Sequence, residues 1–189
     1  MSAKKIREVV QINTARPASD GAGVKLNRVF GGKPEVYDPF LLLDAFGSDE
    51  ATDYIAGFPS HPHRGFETVT YMLEGRMLHE DHMGNKGLLK NGDVQWMTAG
   101  KGLQHAEMFP LVNKESGNRM ELFQIWLNLP KKNKMVSHYF KMNWSEDIPV
   151  LKKKDAENRA IHIEVLTDIW DDQSPPPSNR DRMTSEVDN

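Results

Sequence analysis

From Gly23 to Leu129 the chain is cut into short runs by Gly, Asn, Asp and Pro, and within those runs apolar and polar residues tend to alternate. Side chains two apart share one face of a strand, whereas a helix needs apolar positions three and four apart. No long amphipathic helix stands out, so the pattern predicts an antiparallel all-β sandwich or barrel. GVKLNRVF (Gly23 to Phe30) reads as an early strand, and YDPFLLLDAF (Tyr37 to Phe46) as an apolar stretch opened by a proline turn. ETVTYMLEG alternates from Glu67 to Gly75; RMLHEDHM follows, and Gly84-Asn85-Lys86-Gly87 closes it as a meander of hairpins. After the turn Lys90-Asn91-Gly92-Asp93, Val94 and Trp96 alternate with Gln95 and Met97 until Gly100 and Gly102 end the strand. MELFQIWLNL (Met120 to Leu129) places Phe123, Ile125 and Leu127 on one face and Leu122, Gln124 and Trp126 on the other, which predicts a strand buried between sheets. Trp96 and Trp126 are expected to pack in the core.

The length of 189 residues suits one well-buried domain of roughly 100 to 150 residues with some chain left over. The main core is expected to end near residues 130 to 140, after which only AIHIEVL (Ala160 to Leu166) reads as a strand. The last stretch, DDQSPPPSNRDRMTSEVDN, is too rich in Pro, Ser and charge to offset its ordering entropy and is expected to be a disordered tail. No run approaches the ~18 apolar residues of a spanning helix, and the N-terminus lacks the apolar core of a secretory signal, so an intracellular, membrane-free protein is expected. The net charge of −3 gives no general attraction to nucleic acid, and Lys131-Lys132-Asn133-Lys134 and Lys152-Lys153-Lys154 read as solvated turns. With no cysteine, thiolate chemistry and disulfides are excluded, and any metal must be held by nitrogen and oxygen.

His61 and His63 in HPHRGFE are two apart and can point into one cavity from a single strand. His105 and Glu107 in LQHAEM repeat that spacing, and each pair lies beside a glycine-containing loop. Two such pairs are what two neighbouring strands need to close a four-ligand metal site. A lone histidine is ordinarily a surface or satisfied core residue; it is the pairing that points to a metal. Pro62 lacks a backbone donor, which suits an edge or bulged strand at a barrel mouth. His79 and His82 are three apart and would face opposite sides of a strand, so both read as surface residues. His162 with Glu164 repeats the spacing of two and reads as structural, and His138 has no such partner.

The segments HPHRGFETVTYMLEGRMLHEDHMGNKG, NGDVQWMTAGKGLQHAEM and YDPFLLLDAF resemble the N-terminal half of pirins, over roughly residues 5 to 150. The resemblance implies a cupin-type double-stranded β-helix, or jelly-roll barrel. It divides the chain into a cupin domain over residues 1–145, a remnant strand leading toward an absent second cupin domain over 146–170, and the tail over 171–189. It also implies that His61, His63, His105 and Glu107 hold one iron ion, Fe(II), although Mn, Cu, Ni or Zn would suit the same donors chemically. Two functions follow from the resemblance. One is quercetin-type dioxygenase activity on a small aromatic flavonol, with Glu107 as the general base. The other is an iron- and redox-responsive regulator that binds a transcription-related protein. Apolar surface left by the absent second domain would favour a homodimer. A bacterial chain is expected in the cytoplasm, and a eukaryotic one in nucleus and cytoplasm.

Overall fold

The computed structural model describes residues 8–115 and 117–166. Its strands are β1 (Arg16–Asp20), β2 (Val24–Gly31), β3 (Phe40–Ser48), β4 (Phe58–His63), β5 (Phe66–Glu74), β6 (Met77–Asp81), β7 (Lys86–Leu89), β8 (Val94–Thr98), β9 (Leu103–Met108), β10 (Met120–Asn128), β11 (Tyr139–Asn143), β12 (Val150–Lys154) and β13 (Ala160–Glu164). Helix among the described residues is limited to Pro34–Tyr37 and three single 3-10 turns, and none is long and apolar enough to cross a membrane.

Seven strands form one antiparallel sheet in the order β1-β2-β3-β10-β5-β8-β11, and four form a second in the order β4-β9-β6-β7. The apolar core lies between them, with Leu26, Phe46, Met72 and Leu122 from the larger sheet meeting Met77 and Leu89 from the smaller. Alternation makes this possible. In β5, Thr68, Thr70 and Met72 are buried while Val69 and Tyr71 between them are only half-buried. The jelly-roll expectation therefore holds, and the core runs somewhat farther than residue 140: Phe140, Met142 and Trp144 belong to the main cluster. Beyond it, β12 and β13 pair as a separate hairpin, tied back by the Tyr71 hydroxyl donating to Glu164. The tail expected over 171–189 lies outside the described residues.

β10 occupies the middle of the larger sheet between β3 and β5. Only one of its faces is enclosed as expected: Leu122 is buried, but Phe123 on the outer face is 36% exposed. β4 is an edge strand, with a register shift between Phe58 and His61 against β9. Pro62 sits there without leaving a ladder acceptor unserved.

The loop from β8 to β9 depends on a glycine. Gly100 has φ +50°, and a Cβ there would lie 2.1 Å from the Val136 carbonyl oxygen. Its own carbonyl accepts from Gly65 N–H at 2.8 Å. Gly100→Ala is expected to cost at least ~2 kcal/mol through the left-handed backbone and the backbone clash together. Gly47 on β3 has nothing within 4 Å of a Cβ, and Gly47→Ala should stay within about 0.5 kcal/mol of wild type. Denaturant unfolding of the two variants measures the difference; equal stabilities would show that the loop can move aside.

Candidate metal centre

Two neighbouring strands carry the candidate ligands. His61 on β4 stands directly opposite His105 on β9, and His63 opposite Leu103. The strand period of two then puts both β4 histidines on the inner face with His105. Their ring centroids are 4.4 to 4.9 Å apart, and one ring nitrogen from each lies within 4.8 Å of the other two. His105 and His63 are buried and His61 is half-buried at the mouth.

The protonation of these rings suits a cation. His61 Nδ1 lies 2.9 Å from the Pro59 carbonyl oxygen. An oxygen there can only accept, so Nδ1 carries the proton and Nε2 keeps its lone pair. Burial, with His61 nearby, lowers the His63 pKa to about 4. Burial lowers His105 further, helped by His79, His61 and His63 around it. His63 and His105 are therefore neutral near pH 7. Nε2 of His105 is buried without a hydrogen-bond partner, an expense that a bound ion would remove. Three clustered imidazoles, two of them kept neutral by burial, with one buried nitrogen that lacks a hydrogen-bond partner, fit a divalent transition metal.

Glu107 lines the same cavity, although its carboxylate stands outside the set of atoms within 4.8 Å of one another, which is made of the three histidines. Burial raises its pKa to about 7, against the opposing hydrogen bond from Gln124. That bond, from Gln124 Nε2 to Oε1, is 3.0 Å, and the same amide nitrogen lies 3.2 Å from Thr70 Oγ1. The indole N–H of Trp126 donates to Gln124 Oε1 at 3.0 Å. Because indole can only donate, it fixes the amide with its NH2 toward Glu107.

The cavity encloses about 280 Å³ and is walled by Phe46, Phe58, Phe66 and Trp126. Phe66 and Trp126 lie 4.7 Å apart with planes 31° apart, and His63 packs edge-on to Trp126 at 5.3 Å. At the far end the buried Asp44 takes two hydrogen bonds from Arg28, 2.9 and 2.8 Å long. This pairing raises the Arg28 pKa above its already high value.

The structure thus brings His61, His63 and His105 together as expected and puts Glu107 beside them. It corrects two other expectations. His79 is no surface residue: it is fully buried, on β6 next to β9, with its ring 5.1 Å from that of His105. Trp126 is a wall of the cavity rather than a piece of the apolar core. His82 is exposed as expected; His162 and Glu164, which read as structural, are exposed on the hairpin. Sequence reasoning missed Gln124 and the pair His79 and Asp81. The second carried a visible signal, because LHED repeats the spacing of two.

The pirin family profile matches residues 23–127. A Pseudomonas aeruginosa protein that carries a provisional quercetin 2,3-dioxygenase name is 52% identical over 169 residues, which cover 89% of this chain and 56% of the relative. Among solved structures, a quercetin 2,3-dioxygenase from Acinetobacter baumannii aligns with a TM-score of 0.74 at 34% identity, over 88% of this chain and 58% of that one. A pirin from Escherichia coli, solved in complex with nickel(II), aligns with a TM-score of 0.51 at 27% identity, over 68% of this chain and 53% of its own. The chain spans about half the length of the curated relatives it matches.

Proposed function

This chain belongs to the pirin family, and we propose that it holds one iron ion through His61, His63, His105 and Glu107 and acts on a flavonol with dioxygen. The observation that carries the reading is the buried, partnerless Nε2 of His105 among three histidine donors within 4.8 Å, beside a cavity that His61 and His63 line together with Glu107. Three nitrogens and a carboxylate extend the donor pattern of non-haem Fe(II) sites. The names of the relatives supply the substrate class, and the nickel(II) complex of the Escherichia coli relative supports a divalent ion.

An iron ion so held would polarise the substrate hydroxyl and hold the flavonol and dioxygen together, the electrons that reduce dioxygen coming from the flavonol itself. The protein's own groups do the rest. Phe66 and Trp126 offer flat aromatic surface to a planar ring system, in a cavity of about 280 Å³ near the ~300 Å³ lower end of small-molecule sites. Glu107, with its pKa raised to about 7, is suited to take the hydroxyl proton near neutral pH. Gln124 aims that carboxylate, and Trp126 aims Gln124.

Anaerobic loading of the purified chain with Fe(II), followed by metal analysis and oxygen-electrode measurements with quercetin, tests the reading. One iron per chain and flavonol-dependent oxygen uptake are expected. No bound metal at equimolar iron would sink it entirely. Stoichiometric iron without uptake would leave the metal site standing and move the function to redox-dependent binding of a regulatory protein.

A further inference from the structure

The turn after β6 holds a carboxylate at the end of a buried row that reaches the metal centre. Asp81 Oδ1 accepts from the backbone N–H of Met83 at 2.9 Å and of Asn85 at 3.0 Å, and Oδ2 accepts from Asn85 Nδ2 at 2.8 Å. Oδ2 then faces His79 Nε2 at 3.5 Å, an ion-pair separation at which no hydrogen bond is formed, with both side chains fully enclosed. Phe140 lies flat on the His79 ring, centroids 4.7 Å and planes 18° apart. His79 Nδ1 lies 3.1 Å from His105 Nδ1 and 3.3 Å from the amide nitrogen of Gln95.

Two Nδ1 atoms that close need one proton between them. His105 turns a partnerless Nε2 into the buried site, so a ring that offers its lone pair there keeps its single proton on Nδ1. That proton is donated to His79 Nδ1, whose single lone pair it occupies. His79 consequently carries its own proton on Nε2, toward Asp81. Every member of the row is then in the tautomer that leaves His105 Nε2 free.

We infer that His79 and Asp81 are positioning residues for the metal ligand His105, setting its tautomer and, through the buried carboxylate charge, raising its basicity toward the ion. The inference rests on the metal reading of the site proposed above. Ligating histidines commonly give their second N–H to a partner of this kind, and loss of such partners costs about 10- to 100-fold in metal affinity. Here a second imidazole carries the link, so charge and tautomer can be separated by mutation. In Asp81→Asn, the backbone N–H groups of Met83 and Asn85 still demand the amide oxygen, which turns the amide N–H toward His79. His79 Nε2 must then accept, each proton in the row reverses, and the proton of His105 falls on Nε2. In His79→Asn, an amide oxygen near the old Nδ1 position can still accept from His105, but the carboxylate is disconnected.

The test is calorimetry with Ni(II), together with spectroelectrochemical titration of the iron-loaded protein, on wild type and both variants. Asp81→Asn is expected to weaken Ni(II) binding about 10- to 100-fold. His79→Asn is expected to keep affinity within about threefold of wild type, yet to favour Fe(II) over Fe(III) by up to about tenfold, a rise of about 59 mV for one electron. Wild-type affinity in Asp81→Asn with an unshifted potential in His79→Asn would reduce the row to core packing. Should Asp81→Asn fail to fold, the potential of His79→Asn decides alone. A wild type that binds no Ni(II) overturns the site reading and the relay together, whereas binding in wild type with unchanged variants overturns the relay only.

Discussion

His105→Ala is expected to lower the affinity for Fe(II) by more than a hundredfold and to leave the purified protein without metal after dialysis. His105 lies at the centre of the donor set, opposite His61 in register and one strand from His79. It is 1% exposed, so water can replace its nitrogen only by entering a closed interior. Losses from partners one bond removed from a metal already reach about 10- to 100-fold, and a ligand itself must exceed them. His61, half-buried at the mouth and anchored to Pro59, offers the comparison. Solvent can fill its place, and His61→Ala should lose less. Metal content and melting temperature of the metal-free proteins are measured together. Equal iron in His105→Ala and wild type would sink the assignment, while a collapse of the metal-free fold would be a packing effect instead.

Glu107→Gln is expected to cut flavonol-dependent oxygen uptake by about 10² to 10⁴, the usual worth of a positioned general base. The substitution keeps shape: a glutamine oxygen can still accept from Gln124, whose orientation Trp126 holds. What goes is the ability to take a proton, together with the negative charge offered to the ion, so metal content is measured alongside uptake. Substrate binding, followed by fluorescence quenching of Trp126 and the other tryptophans, should survive better than turnover. Equal turnover in the variant would remove Glu107 from the reaction.

The same residue makes the metal-free protein sensitive to pH. Burial raises the Glu107 pKa from 4.5 to about 7 in the fold, so the folded state holds its proton where the unfolded state has released it. Glu107's own contribution to the stability of the metal-free protein should therefore fall as pH rises from 4.5 to about 7 and then level off, by on the order of 3 kcal/mol. It runs against the opposite slope from His63 and His105, which burial keeps neutral where the unfolded chain binds protons. Glu107→Gln should flatten that limb. A stability difference between wild type and Glu107→Gln that grows in favour of wild type over the same interval would contradict the burial account.

Much of the site was legible because a strand has a period of two. His61 with His63 and His105 with Glu107 each had to share a face, whichever strands lay between them. Pro62 likewise marked an edge position, since a central strand would miss its N–H. His79 with Asp81 obeyed the same rule and was passed over because His79 was paired with His82, three residues on, rather than with the aspartate two residues on. Alternation in β10 also put Gln124 and Trp126 on one face, but nothing local told which face would look into a polar cavity.

Strand order is where local pattern runs out. That β9 lies between β4 and β6, and that Asp81 registers against His105, depends on pairings between segments far apart in the chain. Such pairings are chosen by the burial of whole sheet faces, so no short window contains them. The contact from Gln124 to Glu107 crosses from one sheet to the other, and it exists only because the two sheets pack. The residue types and their periodicity were enough for an all-β barrel with a candidate nitrogen and oxygen site. The groups behind these candidate ligands, Asp81 and His79 behind His105 and Gln124 behind Glu107, came from long-range register and sheet packing, because a hydrogen bond's worth depends on which groups lose water together.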